Sequence, residues 1–162
     1  MTQKQNELVH LVTMAIAAFN RSEGYLIKND LSERCICAKF ASYVEKVFAD
    51  SRFNDYVVDV EYNRGNHGKD FNPKLLNGRK IVVDLIVHKR SYDENMGYDN
   101  LICIEMKKRY KHFDVSSDKE RLHILTDDVY GFGYEIGFMI VVDAGMEDYK
   151  LAIDEIFYNV NR

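Results

Sequence analysis

Two apolar, β-branched runs, Ile81-Val82-Val83-Asp84-Leu85-Ile86-Val87 and Leu101-Ile102-Cys103-Ile104-Glu105-Met106-Lys107, constrain this chain more than any other feature. Both have strand length, and the residues between them carry Gly, Asn and Asp. Neither run alternates apolar with polar residues, so both faces of each strand are expected to be covered. Into these buried strands the sequence sets Asp84, Glu105 and Lys107. An unpaired charge in a dry core costs several kcal/mol, so such groups pair, bind a metal or border a cleft. Strand alternation puts Glu105 and Lys107 on one face, about 7 Å apart at a rise of roughly 3.3 Å per residue, and turns Met106 to the other. If the Asp84 strand lies alongside, two carboxylates and an ammonium converge. Hard oxygen ligands of this kind suit Mg²⁺ or Mn²⁺.

The pattern of Asp84, a gap of about twenty residues, and Glu105-Met106-Lys107 at a strand end resembles the PD-(D/E)XK, or restriction-endonuclease-like, nuclease superfamily. The resemblance implies that Asp84 and Glu105 bind the metal and that Lys107 assists the attacking water. Val83 stands where the family signature often has Pro. Many such proteins carry a further acidic residue on the helix before the sheet, and Ser32-Glu33-Arg34 resembles that feature. Glu33 has a second reading: Asp30-Leu31-Ser32-Glu33 fits a capping box with Asp30 as the N-cap.

The remaining chain supplies an order of elements. Leu8, Leu11, Val12, Ala15, Ile16 and Phe19 keep helical spacing that ends near Gly24. A second helix is expected from Ser32 to Ala49, with Ile36, Phe40, Val44, Val47 and Phe48 on one stripe. Tyr56 to Tyr62 reads as a strand, and Asn63 to Asp70 opens a turn-rich connection to Ile81. Glu61 is read as a strand-end carboxylate on the surface; the segment Glu61-Tyr62-Asn63-Arg64 resembles one in some small bacterial members of the superfamily, which implies instead that Glu61 faces the site. Ser117-Asp118-Lys119-Glu120 gives a second capping-box match, starting a helix through Leu122, Leu125 and Val129 that Gly131 and Gly133 close. Ile136 to Val142 is a buried strand whose Gly137 points to close approach by a neighbour. Met146 to Val160 shows a 3.6-residue period and is expected to be helical. The order matches the αβββαβ core of the superfamily, an α/β (α+β) fold with a mixed central sheet flanked by helices, from about Asp30 to Asp143. One domain is expected to span residues 1–162.

Charge is distributed unevenly. The net charge is −4, yet Arg64 to Lys111 holds 11 Lys and Arg against 6 Asp and Glu. The basic excess travels with the two strands, and Lys89, Arg90, Lys108, Arg109 and Lys111, with Arg79 and Lys80, are candidates to hold a nucleic-acid backbone. The plainer reading is that charged residues gather on loops in any protein. Cys35, Cys37 and Cys103 form neither a disulfide framework nor a zinc pattern and read as reduced thiols in a cytoplasmic protein. The polar start of the chain has no signal-peptide core, and no apolar stretch reaches membrane-spanning length. No phosphate-cradling Gly loop follows a strand, the five His show no metal spacing, and Cys103 is expected to be a small core filler.

Two functions fit these features. One is a Mg²⁺- or Mn²⁺-dependent nuclease acting on DNA, with RNA the lesser expectation and a homodimer or partner protein supplying targeting. The other is an inactive nuclease-fold protein that binds nucleic acid or assembles with proteins. Retention of Asp84, Glu105 and Lys107 together favours the first.

Overall fold

A computed structural model describes residues 1–66, 69–76, 78–93, 97–110, 115–129, 131–144 and 148–161, with the backbone alone for residues 66, 69–71, 91–93 and 97–98. In chain order the elements are α1 (Gln3–Ser22), α2 (Gly24–Lys28), α3 (Glu33–Ala49), β1 (Val57–Tyr62), β2 (Arg64–Asn66), β3 (Lys69–Pro73), β4 (Leu75–Leu76), β5 (Arg79–Lys80), β6 (Val83–Asp93), β7 (Gly97–Lys108), α4 (Ser116–Thr126), β8 (Ile136–Ala144) and β9 (Tyr149–Tyr158). The fold is mixed α+β. Its central sheet has the order β1-β6-β7-β8-β9, antiparallel throughout except where β7 and β8 run parallel, joined through α4. Parallel neighbours need a crossover, and α4 provides it.

The alternating side chains of the buried strands divide the core. Ile102, Ile104 and Met106 of β7 and Ile136, Phe138, Ile140 and Val142 of β8 pack with Leu8, Val12, Phe19, Phe40 and Val44 of α1 and α3. On the opposite face Ile86, Cys103 and Met139 pack with Leu122 and Leu125 of α4. Glu105 and Lys107 belong to this second face by alternation. Gly137 lies here too, and an added Cβ would come within 3.2 Å of Cys103 Sγ and 3.3 Å of Leu122 and Thr126 side-chain atoms. That is the close approach its sequence position implied.

Four expectations change. The segment from Met146 to Val160 is not a helix; it forms β9, paired antiparallel with β8. Its register jumps, Met139 opposite Glu155 but Ile140 opposite Ile153, so Asp154 is the extra residue of a bulge. Tyr149 and Ile153 pack on the α1/α3 side, and past the bulge Ile156 and Tyr158 return to that side while Phe157 turns to the other. The phase change inside a period-2 strand imitates a helical period. Asp30 is not the cap of α3: Ser32 is, its Oγ accepting from Cys35 N at 3.2 Å. Asp30 takes a left-handed conformation, φ 54°. The cap of α4 is Val115, without a side-chain hydrogen bond, so the capping box at Ser117 does not form. Finally, the turn-rich connection carries two small antiparallel pairs, β2–β3 and β4–β5.

α1 also begins earlier than its apolar stripe, because Thr2 and Gln5 form a capping box, with Gln5 N donating to Thr2 Oγ1 at 3.1 Å and Thr2 N to Gln5 Oε1 at 2.9 Å.

Candidate active site

Register brings the predicted pair together. Leu85 stands opposite Ile104 in the antiparallel β6–β7 pair, which carries Asp84 to the level of Glu105. Asp84 reaches across to β7, where its Oδ2 accepts from Met106 N at 2.8 Å. Burial pushes the Asp84 carboxyl up, opposed by that N–H, which favours the charged form. Glu105 is 2% exposed. Burial pushes its carboxyl well above the usual carboxylate range, and the charge of Asp84 adds to the rise.

The groups that answer this buried charge come from α4. Arg121 Nε lies 2.9 Å from Glu105 Oε1. The N–H does not point along that line, so both atoms are buried without a hydrogen bond. Arg121 also donates through Nη2 to Asp118 Oδ1. Asp118 Oδ2 lies 3.7 Å from Lys107 Nζ, and the Lys107 side chain is partly exposed at the margin of the site. Asp84, Glu105, Arg121, Asp118 and Lys107 therefore form one chain of charged groups from the buried end of β6 outward.

Asp84 also borders a cavity of ≈ 380 Å³ that it lines with Glu33, Arg34, Cys37, Val60 and Glu61. Glu33, freed of any capping role by Ser32, is half-buried there at the first turn of α3. Glu61 pairs with Arg34 across the cavity and holds a left-handed conformation, φ 51°, which costs energy in a residue with a long side chain. Cys37 Sγ donates to the Asp84 carbonyl at 3.4 Å, and burial raises the thiol. It serves as a packed donor.

The residues predicted to hold nucleic acid are not gathered in one place. Lys89 pairs with Asp55 at 2.8 Å and Asp99 at 3.5 Å, and lies over the Tyr56 ring. Arg90 grips Asp59 with two prongs, at 2.6 and 2.9 Å. Both belong to the end of β6 remote from Asp84. Lys108 is buried, with its ammonium 2.8 Å from Asp30 Oδ1, so strand alternation turns it inward rather than toward solvent. Arg109 pairs with Asp154 at 3.2 Å. Lys111 lies outside the described residues. His88 is buried and satisfied by Asp59 at 2.9 Å, and Cys103 is a buried filler, as its sequence position suggested.

Asp118 and Arg121 were missed in the sequence. A signal was present: with Leu122 and Leu125 they occupy one continuous stripe of α4, so a charged pair extends a buried apolar face.

Among the described residues no three His, Cys, Asp or Glu side chains converge as a metal cage. The available donor set is the hard-oxygen pair Asp84 and Glu105. One or two carboxylates with waters completing the shell are the usual protein share of a Mg²⁺ site, so the pair fits Mg²⁺ or Mn²⁺ and does not fit a four-ligand zinc centre. Glu105 Oε1 accepts no hydrogen bond but has Arg121 Nε 2.9 Å away, so an ion there would compete with that guanidinium. Comparison with protein-family models, curated proteins and solved structures gives no match.

Proposed function

We propose that this chain is a metal-dependent nuclease of the PD-(D/E)XK type that hydrolyses phosphodiester bonds, with DNA as its substrate. The observation that carries this reading is the pairing of Asp84 with Glu105 across β6 and β7, with the partly exposed Lys107 on the same face of β7. Asp84 and Glu105 hold Mg²⁺ or Mn²⁺, Asp84 being fixed by the Met106 N–H. When bound, the ion polarises a phosphoryl oxygen and lowers the pKa of water. Lys107, steadied by Asp118, orients the attacking water and neutralises charge that grows on the phosphate. The water oxygen forms the new bond to phosphorus while the bond to the leaving oxygen breaks, yielding a phosphomonoester and a hydroxyl. The proton that the water gives up leaves to solvent and the leaving oxygen takes one from solvent, while Glu33, across the cavity that Asp84 lines, is the further acidic residue of the site. Three free thiols agree with a cytoplasmic location, and no helix among the described residues is long and apolar enough to cross a membrane.

The second reading is a nuclease-fold module that binds nucleic acid or assembles with proteins without catalysis. It draws support from the ion pairs that occupy Lys89, Arg90, Lys108 and Arg109. Targeting through a homodimer or a partner protein belongs to either reading. The deciding experiment incubates purified protein with single- and double-stranded DNA and with RNA, in Mg²⁺ and in Mn²⁺. Cleavage that Asp84→Ala and Glu105→Gln both abolish supports the nuclease. Protein that cuts none of these substrates, with an unchanged melting curve in either ion, favours the module.

A further inference from the structure

Arg121 faces two environments. Inward, its Nε lies 2.9 Å from the buried Glu105 Oε1, at ion-pair distance but without a hydrogen bond. Outward, it borders a cavity of ≈ 460 Å³ between the β4–β5 pair and the start of α4, lined by Leu76, Arg79, Ile81, Ser117, Glu120 and Arg121 itself. One guanidinium therefore touches both Glu105 of the carboxylate pair and a cleft whose other wall carries a second arginine.

The contact with Glu105 is Coulombic without a directional bond, and the side chain keeps 25% exposure; the guanidinium's hydrogen bond goes to Asp118 Oδ1 through Nη2, so leaving Glu105 breaks no hydrogen bond and Asp118 can stay paired. A divalent cation held by Asp84 and Glu105 would stand within a few ångströms of this guanidinium and repel it. The released fork has a natural acceptor in a phosphate, whose oxygens match the parallel N–H groups of Arg. Arg79 offers a second fork on the facing wall, and Leu76 and Ile81 give an apolar floor for the sugar.

We propose that Arg121 is an exchangeable cation: it neutralises Glu105 while no divalent ion is bound, and turns to the cleft with Arg79 to hold a phosphate of the nucleic-acid strand when one enters. The proposal rests on the nuclease reading and names the cleft between β4–β5 and α4 as the strand's path. It makes a paired demand that a structural salt bridge does not. Removing Arg121 must strengthen binding of the ion and weaken binding of the strand.

The test measures Mn²⁺ binding by calorimetry without nucleic acid, and binding of a short single-stranded oligodeoxynucleotide by fluorescence anisotropy with Mn²⁺ present. These are done on wild type, Arg121→Gln and Arg121→Lys, each checked for folding by its melting curve. Arg121→Gln is expected to bind Mn²⁺ about threefold tighter or more, because a competing positive charge is gone. Its oligonucleotide affinity is expected to fall about tenfold, the scale of one charge-assisted hydrogen bond to the phosphate. Arg121→Lys, which keeps the charge without the fork, is expected to restore the wild-type Mn²⁺ affinity and part of the strand affinity. If Arg121→Gln does not fold, the lysine variant decides alone, and equal strand affinity in it and wild type overturns the proposal. Wild type that binds Mn²⁺ while Arg121→Gln binds it no better, or holds the strand as well as before, overturns this inference and leaves the nuclease reading standing. Wild type that takes up no Mn²⁺ removes the nuclease reading and this inference with it.

Discussion

A charged side chain placed among apolar ones must be answered by another group, and the answers differ from residue to residue here. Lys107 is answered by Asp118 and stays partly exposed, so it remains free to meet a substrate. Lys107→Ala is expected to abolish cleavage while Mn²⁺ binding, followed by calorimetry, stays at wild-type strength, because Asp84 and Glu105 are untouched. Glu33→Gln should lower metal-dependent cleavage without moving the melting temperature, since Ser32 caps α3 in its place; a drop in melting temperature matching the drop in activity would remove Glu33 from the site. Among the described residues Lys74 receives no carboxylate. It is 2% exposed, and its Nζ lies 4.4 Å from the Phe132 ring centre, 5.4 Å from Tyr134 and 6.0 Å from Tyr62. Burial lowers its pKa to about 8. Among the titratable groups around it, His88, the Tyr134 hydroxyl and Cys103 are each shifted by burial toward the neutral form. Between about pH 8 and 10.5 the unfolded chain holds the Lys74 proton and the folded chain has released it, so stability rises with pH across that window. Lys74→Met should flatten the rise in urea titrations at pH 7.5, 9 and 10.5, and stabilise at the lowest of these by up to about 3 kcal/mol. Asp84, Glu105 and Lys107 were legible in the sequence because charge interrupts an apolar run there. Lys74 was not, because its aromatic enclosure is assembled from distant segments.

At the scale of elements, legibility followed the regularity of the pattern. The strands around Asp84 and Glu105 were found because unbroken apolar runs declare burial on both faces. β9 was misread because the bulge at Asp154 shifts its period midway, and capping boxes at Asp30 and Ser117 were matched in sequence where Ser32 and Val115 begin the helices. The placement of α4 matters most to the site, since it delivers Asp118 and Arg121, and Gly137 sets its distance from the sheet. Gly137→Ala would drive a methyl group to 3.2 Å from Cys103 Sγ and 3.3 Å from Leu122 and Thr126. Real Cβ atoms seldom approach so closely, so α4 must lift or the side chains must leave their rotamers, at a cost of about 1–3 kcal/mol. Denaturant unfolding should show that destabilisation, and cleavage should fall with it as Arg121 and Asp118 move off Glu105. Cys103→Ala in the same chain removes the nearest clashing atom and should recover part of both. Recovery of neither would mean that Gly137 does not govern the spacing of α4.

Over the molecule, the described residues of the basic excess between Arg64 and Lys111 do not form one surface. The β6–β7 pair separates it into two ends. At one, Lys89 and Arg90 are spent on Asp55, Asp99 and Asp59, pairings that tie β6 to the loop before β1, to β7 and to β1. At the other, Lys107 is joined by Arg121 of α4, and Arg79 on the exposed β5 lines the cleft with Arg121, Lys80 following it in sequence; neither β5 residue has an ion pair among the described residues. A phosphate backbone gains most from cations that need not abandon a carboxylate, so the number of basic residues in the sequence overstates what the β1 end offers and understates the β5 end. Arg79→Ala and Lys80→Ala are therefore expected to weaken DNA binding and to reduce the slope of log affinity against log salt by about one unit for each phosphate no longer neutralised. Lys89→Ala and Arg90→Ala should leave that slope as it is, because the residues they remove already hold carboxylates. Their effect belongs to stability, within about 1 kcal/mol for pairs this exposed. Anisotropy titrations of one duplex at several salt concentrations separate the two ends. A slope that falls for Lys89→Ala and Arg90→Ala, and not for Arg79→Ala and Lys80→Ala, would place the nucleic acid at the β1 end, away from Asp84 and Glu105, and would break the link between binding and the carboxylate pair.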